Sequence, residues 1–366
     1  MNQVQCSFPS RVTFDMKDAN HPRVSLLLIT YNQDEYIGDA VRSVLNQNRL
    51  DFEFVICDDG STDQTVTILE DELSRWDGSI PVKKHYSRVN GGLIANFNQG
   101  MAMCKGEYII VMAGDDISLP GRVNACVEAF DEDPNCMLVV PSWRCIDGVG
   151  GSLGSRMLKS DRHSYLDVKP ERSIHARAPV CGAAAAYRRE LFDFFGPLQS
   201  GAYGEDNCYW VRALLLGDIR TLSDELILWR RHSESLSSLL CKSAEEAPAA
   251  LSCEKDSIEK YLRFLSKHEK IYKQWLADLN VAWRAGRVKI QVYKGLKRTC
   301  FFKCEVNRLK RYSLSSVPFS LWFKCMVRLL PYCINYKRMR LVCVRFLILR
   351  ISSKMKMKYL SKKGVL

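Results

Sequence analysis

Three of this chain's pairs of neighbouring acids stand out: Asp58-Asp59 in "ICDDGSTDQT", Asp115-Asp116 in "EYIIVMAGDDISLP" and Glu205-Asp206 in "GEDNCYWVRALLLGD". Adjacent carboxylates repel one another and resist burial unless a positive partner or a proton compensates. The second pair poses this most sharply. It follows an apolar run, Tyr108 to Met112, that reads as a buried strand broken at Ala113-Gly114. Thr30-Tyr31-Asn32 closes an earlier apolar run with small and polar residues in the same manner. Any one such loop is ordinary turn and N-cap chemistry, for which Asp, Ser, Thr and Asn are preferred. Their weight comes from what must place them side by side.

The elements that would do so follow a regular order. "VSLLLIT" (24–30), "FEFVIC" (52–57), a weaker "VKKHYS" (82–87) and "YIIVM" (108–112) read as strands buried on both faces. Between them lie helical patterns: Ile37, Val41, Val44 and Leu45; then Val66, Leu69 and Leu73; then "LIANFNQGMAMC" (93–104). Alternating strands and helices with short connections predict an α/β fold with a mostly parallel sheet covered by helices. Ligands bind such sheets beyond the carboxyl ends of the strands, where Thr30-Tyr31-Asn32, Asp58-Asp59-Gly60-Ser61 and Gly114-Asp115-Asp116 all fall. After Asp133 the pattern loosens. "MLVVPSW" (137–143) reads as a strand, the glycine-rich 147–155 as a loop, 180–196 as a strand or tight turn feeding a helix, and 204–218 as a helix start. Glu205 and Asp206 then sit at the positive end of that helix.

The charge is split. Of 53 Lys and Arg, 22 lie in residues 281–366 together with one of the 41 acids, so that stretch is net +21 and the remainder −9. Fifteen cysteines are scattered without a Cys-x-x-Cys pair or metal-ligand spacing, which reads as free thiols acting as small hydrophobes in a reducing cytoplasm. The first 23 residues have no apolar core of a signal peptide. The expected division is an extension over 1–22, the α/β domain over 23–240, a helical linker over 241–280, with small polar residues from Ala244 to Ala250 at its start, and a basic amphipathic helical region over 281–366.

From about Val24 to Ser237 the chain resembles the family 2 inverting glycosyltransferases of the GT-A fold. The resemblance rests on "ITYNQDEYI", "ICDDGSTDQT", the spaced set Asn90, Gly92, Ala95, Asn98 and Gly100, "GEYIIVMAGDD", "GED" at 204–206 and "WRRHSES" at 229–235. It implies a nucleoside-diphosphate sugar as donor, probed first as a UDP-sugar, and Mg²⁺ or Mn²⁺ bridging the diphosphate to the protein. By that resemblance Asp115 and His232 hold the metal, and Asp116 faces the sugar hydroxyls or supports the site from behind. Thr30, Tyr31 and Asn32 lie near the base, an acid of Asp58-Asp59 bonds base or ribose, and Asn90 belongs to the donor site. Arg230 and His232 neutralise the leaving diphosphate. Asp206 is the general base, with Glu205 beside it raising its pKa by like-charge proximity. Arg212 is structural, paired with these acids. The family's metal motif, Asp-x-Asp, has Ala113 at its first position here, one ligand fewer.

In the basic region, Lys, Arg or Pro interrupts the apolar residues every few positions, as at Lys324 and Arg328, so no run reaches the roughly 20 apolar residues of a spanning helix. A cationic amphipathic surface suits an anionic membrane. The expectation is therefore a cytoplasmic enzyme, peripheral on the inner face of the cell membrane, acting on a polyprenyl-diphosphate-linked glycan in cell-surface polysaccharide synthesis. Nucleic acid is not expected as a partner. The alternative class is a non-catalytic nucleotide-sugar-binding or scaffold protein of the same fold, which metal-dependent hydrolysis of a UDP-sugar would exclude. A dinucleotide dehydrogenase is disfavoured because no Gly-x-Gly-x-x-Gly follows the first strand.

Overall fold

The computed structural model describes residues 22–48, 51–76, 78–163, 181–233 and 255–314. Most of the expected N-terminal extension, the boundary around Ala244–Ala250, the end of the "WRRHSES" segment and the tail from 315, including Lys324 and Arg328, lie outside them.

Four strands form the expected parallel unit: β1 (Val24–Thr30), β2 (Phe52–Asp58), β3 (Val82–Tyr86) and β4 (Tyr108–Ala113). β1 pairs in parallel with β2 and with β4, and β2 with β3. The register sets Thr30 beside Asp58 and Ile29 beside Ala113, so the three polar loops leave the sheet along one edge. Strand side chains alternate between faces, and β1 divides accordingly. Leu27 and Ile29 join a core with α3 (Leu93–Met103), while Val24, Leu26 and Leu28 join another with α1 (Ile37–Leu45), α2 (Thr65–Ser74) and α4 (Arg122–Glu132).

The second half departs from expectation. The sheet has ten strands, running β3-β2-β1-β4-β9-β6-β10-β5. β6 (Cys136–Ile146) pairs in parallel with β10 (Asp218–Arg230). The short β9 (Ala186–Arg188) is inserted antiparallel between β4 and β6. The 13-residue β10 was not anticipated: "DIRTLSDELILWR" lacks clean alternation, and its register slips at Asp218, between Leu222 and Glu225, and again before Ile227. Part of the expected glycine-rich loop is also a strand. β7 (Ser152–Arg156) pairs antiparallel with β6, with all five residues exposed. β8 (Asp161–His163) pairs with β10, as does β5 (Ile117–Ser118). The two-residue β5 positions the site, because it ties the chain just after Asp115-Asp116 to the strand that ends at Arg230.

α5 (Glu190–Phe195) and α6 (Glu205–Leu216) follow a 3₁₀ turn at Gly182–Ala184. Beyond them α7 (Lys255–Arg284) and α8 (Ile290–Leu314) form a hairpin. α7 runs through residue 280, where the sequence suggested a boundary. It is no mere linker. Ile271, Trp275, Leu279 and Ala282 pack with Leu215 of α6 and with Tyr293, Leu296 and Cys300 of α8. Arg212 pairs here with Asp278 of α7, Nε to Oδ2 at 3.0 Å, rather than with Glu205 or Asp206 as expected. Both residues are buried, and breaking such a pair by removing one partner costs about 3–5 kcal/mol.

Candidate active site

The loop after β1 is shaped by local side chains. The Thr30 hydroxyl donates to Gln33 Oε1 (2.8 Å). Asn32 adopts φ 49°, a left-handed conformation that asparagine tolerates better than most residues. Its N–H donates to Ser61 Oγ (2.8 Å), and its Oδ1 accepts from the Thr62 N–H (2.9 Å), which joins the loops after β1 and β2. The Tyr31 ring stands exposed between them at 42%.

Asp58 and Asp59 divide their work. Asp58 Oδ1 accepts the N–H groups of Gly60 (3.1 Å) and Ser61 (2.9 Å), and its Oδ2 accepts the Ser61 hydroxyl. Asp59 reaches across to the loop before α3, taking the N–H of Gly91 on Oδ1 (2.9 Å) and of Gly92 on Oδ2 (2.7 Å). Both are buried and compensated by backbone dipoles, so their first role is to set the loops that would hold a base and ribose. Asn90 is exposed and caps the same loop, its Oδ1 accepting from the Gly92 N–H (3.0 Å). Of the spaced set, Asn98 is structural: it exchanges two hydrogen bonds with the backbone of Leu198 (2.8 and 2.9 Å).

Around the central pair, Asp115 Oδ2 and His232 Nε2 are 3.1 Å apart. Asp116 is 1% exposed, its Oδ1 accepts the Arg230 N–H (2.8 Å), and its Oδ2 has no partner. Burial, and after it the charge of Asp115, pushes the Asp116 carboxyl well above the usual range. Of the two places expected for Asp116, this geometry fits the one that supports the site from behind. Arg230, expected at the diphosphate, is also turned inward. Its guanidinium is buried: Nε donates to the Asp115 carbonyl (2.9 Å), Nη1 to the carbonyls of Gly148 (2.9 Å) and Asp147 (3.4 Å), and Nη2 to Asp39 Oδ2 (3.4 Å). It also lies 4.8 Å over the Tyr36 ring, which is 4.7 Å from the His232 ring. Arg230 thus clamps the Asp115 loop, and His232 is the member of the segment that meets Asp115.

The third pair begins α6. Glu205 is pressed against Gly182, where a Cβ would come within 2.3 Å of its Oε1 and force that side chain to shift. Burial, followed by the charge of Asp206, pushes Glu205 up to about 8 from 4.5. Its folded pKa lies above the unfolded one, so the stability it contributes is full below pH 4.5 and is lost as pH rises towards 8. Asp206 is raised too, but by burial. It is opposed by the N–H and Nδ2 groups of Asn207, which donate to its Oδ1 at 2.7 and 2.8 Å. The two carboxyls lie close enough to interact, and burial is the largest cause of the rise in each.

The 3₁₀ turn joins the two acid pairs. Cys181, just before it, feels the charges of both Asp116 and Asp206. Arg122, fully buried, spans the gap beneath: Nη2 donates to the Val111 carbonyl (2.7 Å) and to that of Ala183 (2.9 Å). No motif or spacing marks this residue in the sequence. Burial lowers its pKa to about 10, while the nearby Asp116 opposes that shift. Among the described residues no three His, Cys, Asp or Glu side chains cluster as a complete metal cage. A carboxylate and an imidazole within one hydrogen bond still fit a divalent cation that takes its other ligands from a diphosphate and water.

Part of the chain is similar to known glycosyltransferases. Residues 25–195 match the model described as glycosyl transferase family 2. The chondroitin synthase of Escherichia coli is 34% identical over 134 residues, which are 37% of this chain and 19% of that protein. An uncharacterized glycosyltransferase of Haemophilus influenzae is 26% identical over 255 residues, 66% of this chain and 75% of that one. Among solved structures, S. aureus TarS 1–349 in complex with UDP-GlcNAc aligns at 18% identity and a TM-score of 0.48, covering 80% of this chain and 90% of that chain.

Proposed function

We propose that this chain, whose residues 25–195 match glycosyl transferase family 2, moves a sugar from a nucleoside-diphosphate sugar, of the UDP type, to a hydroxyl of a glycan acceptor with inversion at the anomeric carbon. One observation carries the reading. A carboxylate–imidazole pair (Asp115, His232) and a raised-pKa carboxylate pair (Glu205, Asp206) flank the same turn at the carboxyl edge of the sheet. The first suits a diphosphate with its cation, the second an acceptor hydroxyl.

In this reading Asp206 takes the proton of the acceptor hydroxyl as that oxygen bonds to the anomeric carbon, and the bond from that carbon to the diphosphate breaks. Asp115 and His232 would hold Mg²⁺ or Mn²⁺, which when bound neutralises the diphosphate. Tyr31, with its exposed ring, and the loops set by Asn32, Asp58, Asp59 and Asn90 bind the nucleotide end. Arg230 and Arg122 hold the Asp115-Asp116 loop from behind. The direct test is a melting-temperature screen of UDP-, GDP- and dTDP-sugars with and without Mn²⁺. A UDP-sugar at a hundred times its Kd should add about 2.7 kcal/mol of stability, and only with the metal. No shift with any nucleotide would remove the donor site.

The proposed acceptor is a polyprenyl-diphosphate-linked glycan on the inner face of the cell membrane, with the chain peripheral there. Residues 281–314 contain ten Lys and Arg against one acid, Glu305, and Glu305 pairs internally with Arg308 (2.6 Å). Among the described residues no helix is long and apolar enough to cross a membrane. A cut before 290 would strip α8 from α7 and expose Leu279 and Ala282, so the informative truncation ends at Leu314. The full chain should float with phosphatidylglycerol vesicles and not with phosphatidylcholine. The truncated chain should float less, and salt should weaken both. Equal partition to neutral and anionic vesicles would refute the surface-charge reading.

A further inference from the structure

We propose that α7, which lies beyond the family-matching segment, positions the catalytic carboxylate through Trp275, Gln274 and Asp278. This rests on the reading of Asp206 as general base.

Asp206 is reached by a segment with little conformational restraint of its own. Residues 196–204 link α5 to α6, and Gly196, Gly201 and Gly204 have φ of 71°, 80° and 69°, where glycine is the least costly residue. α6 itself begins at Gly204 with no side-chain cap. Left alone, such a segment would let the first turn of α6 fray. Its restraints come from elsewhere in the chain. Asn98 of α3 holds Leu198. The others named here come from one face of α7, directly or through Arg212 of α6. Gln274 Oε1 accepts the Gln199 N–H (2.9 Å), and Gln274 Nε2 donates to Asp278 Oδ1 (3.0 Å). Asp278 receives Nε and Nη2 of Arg212 at 3.0 and 3.1 Å, and Arg212 Nη1 donates back to the Gly196 carbonyl (2.8 Å). Trp275 Nε1–H donates to the Asn207 carbonyl (3.0 Å). Asn207 is the residue whose two N–H groups hold Asp206 Oδ1.

A relay of two contacts therefore runs from α7 through Asn207 to the base, and both ends of the 196–207 segment are tied to the same helix turn. Trp275, Gln274 and Asp278 are positioning residues, since none of them contacts Asp206. The titratable groups facing Asp206 are Glu205 on its own helix, Cys208 two residues along, Tyr203 in the approach, Cys181 before the 3₁₀ turn and Tyr187 on β9. Of these, only Glu205 could carry charge near neutral pH. Loosening Asn207 withdraws hydrogen bonds that favour the Asp206 carboxylate, so its pKa should rise further.

The test is Trp275→Phe in the full chain, which keeps an aromatic ring in the apolar site and removes the donor. Amide hydrogen exchange, which needs no substrate, should speed up roughly three- to tenfold over residues 196–207 and stay unchanged in β1, β2 and β4. With UDP-GlcNAc and Mn²⁺ as probe, UDP release should show kcat down by a similar factor and KM unmoved. The acid limb of its pH profile should shift upward, which a general loss of stability would not produce. Gln274→Leu should reproduce the exchange change. Unchanged exchange over 196–207 in both variants would overturn the proposal. Asp206→Asn, run in parallel, separates the failures. If it is inactive while Trp275→Phe behaves as the parent, positioning alone falls. If it retains turnover, the base assignment and this proposal fall together.

Discussion

Asp206→Asn is expected to reduce transfer by about 10²- to 10⁴-fold, the contribution typical of a positioned general base, while donor binding stays close to the parent's. The substitution is nearly isosteric, and the amide oxygen can still accept from the Asn207 N–H and Nδ2 groups (2.7 and 2.8 Å in the parent). The loss should therefore come from proton transfer and not from unfolding. The parent's pH dependence has a definite sign. A base must be deprotonated to act, and burial raises Asp206 above the ordinary carboxylate range. The rate should climb with pH through that raised value. Glu205, protonated up to about 8, remains neutral over most of the climb. Full turnover by the asparagine variant would remove Asp206 from the mechanism.

Asp115→Ala should weaken UDP binding in the presence of Mn²⁺ by at least about 10- to 100-fold, because losing a direct metal ligand costs no less than losing one of its supports. Isothermal titration with and without EDTA separates the contributions. The parent should lose affinity on chelation, whereas the variant should be indifferent to it. Ala113 already stands where the family's motif has its first acid, so no neighbouring carboxylate on that strand end replaces Asp115. Asp116 does not serve as a substitute, since it is buried and bonded to the Arg230 backbone. Equal, metal-dependent affinity in parent and variant would refute the assignment of the cation to Asp115.

The first four strands and three helices were legible because their signals are local. Runs such as "VSLLLIT" and "FEFVIC" alternate with helical spacing, and each element forms close to where its own residues predict. The parallel register follows from that alternation, so the meeting of Thr30, Asp58 and Asp115 at one edge was also legible. β10 was hidden because three register slips break its pattern, and β7 because its five residues face solvent and share no apolar face.

The sequence by itself therefore determined the sheet class, the edge that carries the site and the acids that reach it. Tertiary structure decided what each acid does. Asp115 and His232 are 117 positions apart, and Asp116 and Arg230 are 114 apart, brought together by a two-residue strand no periodicity could reveal. Which carboxyl keeps its proton depends on burial against residues such as Gly182 and Cys181, and which arginine touches solvent depends on carbonyls far along the chain. Ionisation is set by the solvent and dipoles around a group, and those are supplied by the whole fold rather than by neighbours in sequence.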